Sequence, residues 1–233
     1  MTVTVRPSAE RGHFDHGWLD TFHSFSFAEY MDPRHMGFRG LRVINEDRIA
    51  GGGGFPTHGH RDMEIITYMV SGSLAHRDST GAAEEVRRGE IQRMTAGSGI
   101  RHSEFNASRD EAAHLLQIWI IPQSPNLEPG YEQRAFPPEQ RRNALKRLAG
   151  HSNGDGALLI HADAEVYGAF LDAGASVEHS LRPGRGAWLQ VVSGAATVNG
   201  VAVAAGDGAA IEKEPAAIIR AKTETELLLF DLG

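Results

Sequence analysis

The sequence predicts an all-β chain that builds one β-barrel or sandwich twice. Short apolar runs recur with turn signals at intervals of about 8–12 residues, the spacing of strands in such folds. Amphipathic helical windows are scarce, and the 27 glycines favour turns over helices. A strand–turn pattern in the first half also returns in the second. The 233 residues suffice for one large domain or two small ones, with a sizeable core in either case.

Composition removes several function classes. Charged residues at 23% and apolar residues at 41% fit an ordinary globular chain. A net charge of −7 without a Lys/Arg cluster argues against a nucleic-acid partner. Cysteine is absent, which excludes disulfides, thiolate metal sites and a cysteine nucleophile. The N-terminus lacks the apolar core of a signal peptide and no apolar run would span a bilayer. The expectation is a cytoplasmic protein without a membrane partner.

In chain order, residues 14–30 alternate loosely, are rich in aromatics and read as extended segments with an early hairpin. Residues 31–40 form a turn-rich connector through Pro33 and Gly37. LRVINEDRI (41–49) reads as a strand ending at Asn45–Asp47. IITYMV (65–70) runs into a Ser71–Gly72 turn, SLAHRD (73–78) into a turn at Asp78–Gly81, and residues 84–105 follow with further strands. In HLLQIWIIP (114–122), Leu116, Ile118 and Ile120 share one face and Leu115, Trp119 and Ile121 the other. A strand apolar on both faces belongs inside the structure rather than on an edge.

Five prolines between Pro122 and Pro138 then interrupt the pattern. PEQRRNALKRLAG (138–150) is the best helix candidate, with Pro138 in its first turn, an Ala144/Leu145/Leu148 stripe and Gly150 as the stop. The expected organisation is an N-terminal domain over 1–122, a proline-rich linker with a short helix over 123–156, and a C-terminal domain over 157–233. Strands resume after the linker, and ATV–NG–VAV reads as a two-residue hairpin turning at Asn199–Gly200.

The repeat aligns Val70-Ser71-Gly72 with Val192-Ser193-Gly194, an offset of 122, and Gly89-Glu90 with Gly206-Asp207, an offset of 117. It also serves as an internal control for GGGGFPTHGHRDME (51–64). His58 and His60, two residues apart in a strand, aim their imidazoles at one point, with Glu64 four residues on. In TAGSGIRHSEFN (95–106), His102 and Glu104 share a face in the same way. By the two offsets His58, His60 and Glu64 map to Ser180, Arg182 and Gly186, and His102 and Glu104 to Ile219 and Ala221. No counterpart is a ligand, so the pattern predicts a metal site confined to the N-terminal half. Three imidazoles and a carboxylate suit Fe(II), Mn(II), Co(II), Ni(II), Cu(II) or Zn(II) rather than Ca(II) or Mg(II).

Other features weigh less. GGGG (51–54) lacks the following helix and Lys-Ser/Thr of a phosphate loop and reads as backbone approaching a barrel rim. His13, His16, His23 and His35 read as structural or surface residues, with His23 best placed to cover a pocket. His76 and His114 read as hydrogen-bonded scaffold.

GFPTHGHRDMEIITY followed by GEIQRMTAGSGIRHSEFN resembles the paired cupin motifs of pirins, and DTFHSFSFAEYMDP, GFRGLRVINED and HLLQIWIIP extend the resemblance. It implies a bicupin: two jelly-roll β-barrels packed face to face with few short helices. The resemblance is closest to bacterial pirins associated with quercetin 2,3-dioxygenase activity. Carried over residue by residue, it assigns His58, His60, His102 and Glu104 to one divalent ion, Fe(II) first, with Glu64 in a supporting role. It further implies cleavage of a flavonol heterocycle by O2, releasing carbon monoxide and a depside, with Glu104 as the catalytic proton acceptor. The alternative is a metal- and redox-dependent module that binds a protein partner.

Overall fold

The computed structural model describes residues 2–233 and contains four antiparallel-dominated sheets. Among the described residues the only helices are two single 3₁₀ turns, Ser8–Glu10 and Pro138–Arg141. Among the described residues no helix is long and apolar enough to cross a membrane. The all-β expectation holds, and so does the duplication.

Each half pairs a seven-stranded sheet with a four-stranded one. In the N-terminal half the large sheet runs, in spatial order, Gly130–Ala135, Glu90–Thr95, Glu64–Ser71, Ala113–Ile120, Leu41–Ile49, Leu19–His23 and Gly12–Asp15. The small sheet facing it runs Gly54–His60, Ile100–Asn106, Ser73–Asp78 and Ala83–Arg87. The C-terminal half repeats both: Gly186–Ser193 beside Thr225–Leu232 matches Glu64–Ser71 beside Ala113–Ile120, and Ser176–Ser180 beside Ala216–Ala221 matches Gly54–His60 beside Ile100–Asn106.

The two large sheets pack against each other, which explains the strand apolar on both faces. Leu116, Ile118 and Ile120 join Ile66, Tyr68, Val166, Trp188, Leu228 and Phe230 in one buried cluster between the halves. Leu115 and Trp119, on the opposite face, pack inside the N-terminal barrel. Such a strand is sandwiched between a barrel interior and a second domain, and both faces leave water.

Two local expectations are corrected. Leu41–Ile49 does not end at Asn45–Asp47. It pairs through to Ile49, because Asn45 and Asp47 lie across from Gln117 and Leu115 in the ladder instead of turning the chain. PEQRRNALKRLAG is not a helix. After one 3₁₀ turn, Asn143 takes φ 53°, and Lys146–Gly150 becomes a strand beside Ala164–Leu171. Leu148 and Ala149 thereby enter the cluster between the halves, a burial that outweighs local helix propensity.

Two strand pairings cross the expected domain boundaries. Thr2–Arg6 pairs with Gly208–Glu212 in the C-terminal sheet, and Gly130–Ala135, expected as linker, pairs with Glu90–Thr95 in the N-terminal one. Each large sheet is thus closed at the same edge by a strand from outside its own repeat, and an unpaired ladder edge is covered on both sides.

Candidate metal centre

The interior of the N-terminal barrel contains a cavity of about 380 Å³ at which the sequence-predicted residues gather. Gly54–His60 and Ile100–Asn106 are antiparallel neighbours, with His102 directly opposite His58 and His60 opposite Ile100. The Nε2 atom of His102 lies 2.9 Å from that of His58 and 2.9 Å from that of His60. Gly54 permits this approach. A Cβ there would stand 2.5 Å from the Glu104 carbonyl oxygen, so the glycine-rich stretch is required for close packing. Gly52 takes φ 73° in the turn before it.

Electrostatics makes the cluster unusual. His58 Nδ1 donates to the Pro56 carbonyl at 2.8 Å, which leaves a lone pair on its Nε2. Burial, and then His102 and His58, push His60 down to about 4. Burial likewise pushes His102 down to about 4, with His58 and His76 adding to it and Glu104 opposing. At neutral pH the His60 and His102 rings are uncharged on this account. A single proton on His102 Nε2 can serve only one of its two neighbours, so one contact sets two lone pairs together. A divalent cation relieves that conflict. The 2.9 Å separation also equals the edge between donors held at right angles about 2.0–2.1 Å from one ion. The residues fit a metal.

Glu104 is 2% exposed and lines the same cavity, but its nearest ligand-type group is His102 with His76 rather than all three imidazoles. A ring of hydrogen bonds holds its carboxylate. Gln92 Nε2 donates to Glu104 Oε1 at 2.7 Å and to Thr67 Oγ1 at 2.9 Å. Thr67 donates to Gln117 Oε1 at 3.2 Å, and Gln117 Nε2 donates to Glu104 Oε2 at 2.9 Å. A carboxylate only accepts, which fixes which end of each amide faces it. Burial alone would raise Glu104, but the neighbouring His76 and His102 and the Gln92 amide leave its pKa below the ordinary value. His76 Nδ1 stands 3.8 Å from Glu104 Oε1 while its Nε2 meets Asp78 Oδ2 at 2.8 Å, and Tyr131 stacks on the ring at 4.6 Å. His76 is hydrogen-bonded scaffold, and the group it supports is Glu104. His114, bonded to Glu46, is scaffold away from the cavity.

Glu64 lies elsewhere. Ile65 lines the cavity, whereas Glu64 points with Ile66 and Tyr68 towards the other half, where Thr95 and the His161 backbone N–H donate to it. Burial pushes it up to about 7. His23 does not line the cavity either. It packs edge-on behind Phe27, which in turn packs edge-on against Trp119.

The rest of the wall joins an apolar part, Phe27, Phe55, Ile65 and Trp119, to a polar part that includes Asn45 and Asp47. Gln92, Gln117, Asn45 and Asp47 were not singled out from the sequence. For Gln117 the signal was available, since it is a polar residue within the largely apolar run LLQIWI, whereas Gln92 lies in the mixed strand EIQRMT and carried none. Burial pushes Asp47 up to about 7 against the pull of its Thr21 hydrogen bond.

The second copy shows what the barrel becomes without this set. Glu104 pairs with His76, and Ile219 pairs with Val198, the residue four past the equivalent turn. Ile219 and Ala217 therefore stand where Glu104 and His102 do, and His179, opposite Ala217, stands where His58 does. Leu181 takes the place of His60. The offsets used on the sequence were displaced by one or two residues because the intervening loops differ in length. Three of the four positions are apolar and packed into the core of that barrel, and the surviving His179 is bonded to Asp231.

Comparison with known proteins gives a consistent picture. The family model described as Pirin matches residues 4–120, and one described as a quercetinase C-terminal cupin domain matches residues 148–232. A quercetin 2,3-dioxygenase of Escherichia coli K12 is 48% identical over 230 residues, covering 99% of this chain and 98% of its own. A pirin-like protein of Caulobacter vibrioides is 43% identical, covering 98% and 99%. Among solved structures, an Escherichia coli bacterial pirin in complex with nickel(II) superposes with a TM-score of 0.95 at 46% identity, covering 99% of each chain.

Proposed function

The chain belongs to the pirin family, with two cupin domains, and from that premise we propose that it is a metal-dependent quercetin 2,3-dioxygenase. One flavonol and one O2 give one carbon monoxide and one depside, so all atoms of both reactants are retained in the products. The observation that carries this reading is the convergence of three imidazoles in an aromatic-walled cavity beside an oriented carboxylate.

In this proposal His58, His60 and His102 hold the ion through Nε2 and Glu104 supplies the oxygen donor. When bound, a divalent transition metal lowers the pKa of a coordinated hydroxyl and provides the redox-active centre. The protein's own part follows from the geometry. Phe27, Phe55 and Trp119 give flat apolar surfaces against which an aromatic substrate sheds water. Glu104 takes the proton of the C3 hydroxyl, and Gln92 and Gln117 keep its two oxygens directed while it does so. Fe(II) is the ion we propose, and metal analysis of the purified protein decides between it and Mn, Co, Ni, Cu or Zn.

The test is the decay of quercetin absorbance under air by metal-loaded and metal-stripped protein. Decay only in the loaded sample supports the reading, and no decay in either removes it.

A further inference from the structure

The cavity has a second polar face that the metal-binding set does not use. Asn45 and Asp47 occupy alternate positions of Leu41–Ile49, so both point into the barrel, where both line the cavity. Each is only 4% exposed, and the protein leaves both incompletely paired. Asn45 Oδ1 is buried with no hydrogen-bond partner. Among the described residues Asp47 has one hydrogen bond, from the Thr21 hydroxyl to Oδ1, and its other oxygen has none. A fully buried acceptor without a partner, as at Asn45 Oδ1, is rare because an unmade hydrogen bond there is costly.

The fold does not demand them. Asp47 pairs with Leu115 as Ala169 pairs with Leu227 in the C-terminal barrel, so the same position carries a methyl group in the second copy. Asn45 lies opposite Gln117, whose amide is bonded to Glu104, which puts this acceptor pair one strand from the carboxylate of the candidate metal centre. Phe27, Phe55 and Trp119 in the same lining offer flat apolar surface. Aromatic walls with two adjacent unpaired acceptors match a planar molecule whose rim carries hydroxyl donors.

We propose that Asn45 and Asp47 determine substrate specificity by accepting hydrogen bonds from phenolic hydroxyls other than the one that faces the imidazoles. The inference rests on the reading above for the class of substrate, and it selects within that class: ring-hydroxylated flavonols over the unsubstituted parent.

The experiment compares quercetin with 3-hydroxyflavone, which keeps the metal-facing hydroxyl and lacks the ring hydroxyls. Binding is measured without O2 to Zn(II)-loaded protein by ligand absorbance and tryptophan fluorescence. Wild type binds quercetin about ten-fold or more tightly than 3-hydroxyflavone, the difference expected of one good buried hydrogen bond or more. Asp47→Ala and, independently, Asn45→Ala each move that ratio towards one. Ala169 at the equivalent position shows that the barrel accommodates the first variant, and the second reads out the same effect from a different residue. A wild-type ratio near one, or a ratio that neither variant changes, overturns the inference. Turnover under air separates the two readings: turnover with an unchanged ratio removes this inference alone. A ratio that both variants collapse in a protein without turnover supports it and removes the dioxygenase reading. Failure of wild type to bind either probe removes both.

Discussion

His58 and His102 face each other across one antiparallel pair, and their Nε2 atoms stand 2.9 Å apart with a lone pair fixed on the His58 side. The ladder fixes the two Cα positions and the shared face from which both rings project, so the backbone brings the two nitrogens together without a bound ion.

From this relationship His102→Ala is expected to reduce bound metal to background, because His102 is the nitrogen common to both close contacts. The loaded wild type gains about 4 kcal/mol when free metal is about 1,000 times its dissociation constant, and the variant gains none. Elemental analysis paired with thermal unfolding with and without metal checks both outcomes.

The two glutamates separate cleanly. Glu64→Ala retains metal, since its side chain faces the other half of the molecule, while Glu104→Ala loses it or binds it far more weakly. A Glu64→Ala protein empty of metal beside a loaded Glu104→Ala protein would reverse the assignment.

Gln92→Leu and Gln117→Leu each remove one hydrogen bond from Glu104 and leave the imidazoles untouched. Metal content is expected to stay close to wild type while kcat/KM falls about 10- to 100-fold, the usual effect of losing a group that orients a ligand. Equal loss of metal and activity would instead place these amides in a general structural role.

The imidazoles set an acid limit. His60 and His102 titrate near 4 in the folded protein against 6.5 for the ordinary group, so between those values the unfolded chain binds protons that the folded one refuses. Their contribution is therefore intact above about 6.5 and is lost as pH falls to about 4. Denaturant titrations of metal-free protein across this window should show the fall, and a His60→Ala protein should show a shallower one.

Glu64 acts with the opposite sign. Burial raises it to about 7, so the folded state favours its protonated form and stability declines as pH rises from about 4.5 to about 7. Glu64→Gln keeps an acceptor for the Thr95 hydroxyl and removes the charge. The variant is expected to be more stable than wild type at pH 8, by at most about 3 kcal/mol, and little different at pH 4.5. Equal unfolding midpoints at pH 8 would refute this.

Much of the architecture was legible in the chain alone. Strand periodicity, the Asn199–Gly200 hairpin and the repeated Ser-Gly turns are short-range properties, set by side-chain alternation and by residues that tolerate positive φ. The same alternation placed His58 with His60 and His102 with Glu104 on shared faces. What alternation does not encode is which strand lies beside which. The residues 138–150 satisfy a helix locally and became a strand because Leu148 and Ala149 find partners from the opposite sheet. The N-terminal strand joined the distant domain, and Glu64, one position from a cavity-lining residue, faced away from the site. The ring through Gln92, Thr67 and Gln117 likewise joins three strands. The sequence by itself determined the repeated β-fold and the inward-facing histidines, because those depend on neighbours a few residues apart. Only the tertiary structure decided the strand partners, the carboxylate beside the imidazoles and the unpaired acceptors opposite them, because those depend on the burial of surfaces brought together from across the whole chain.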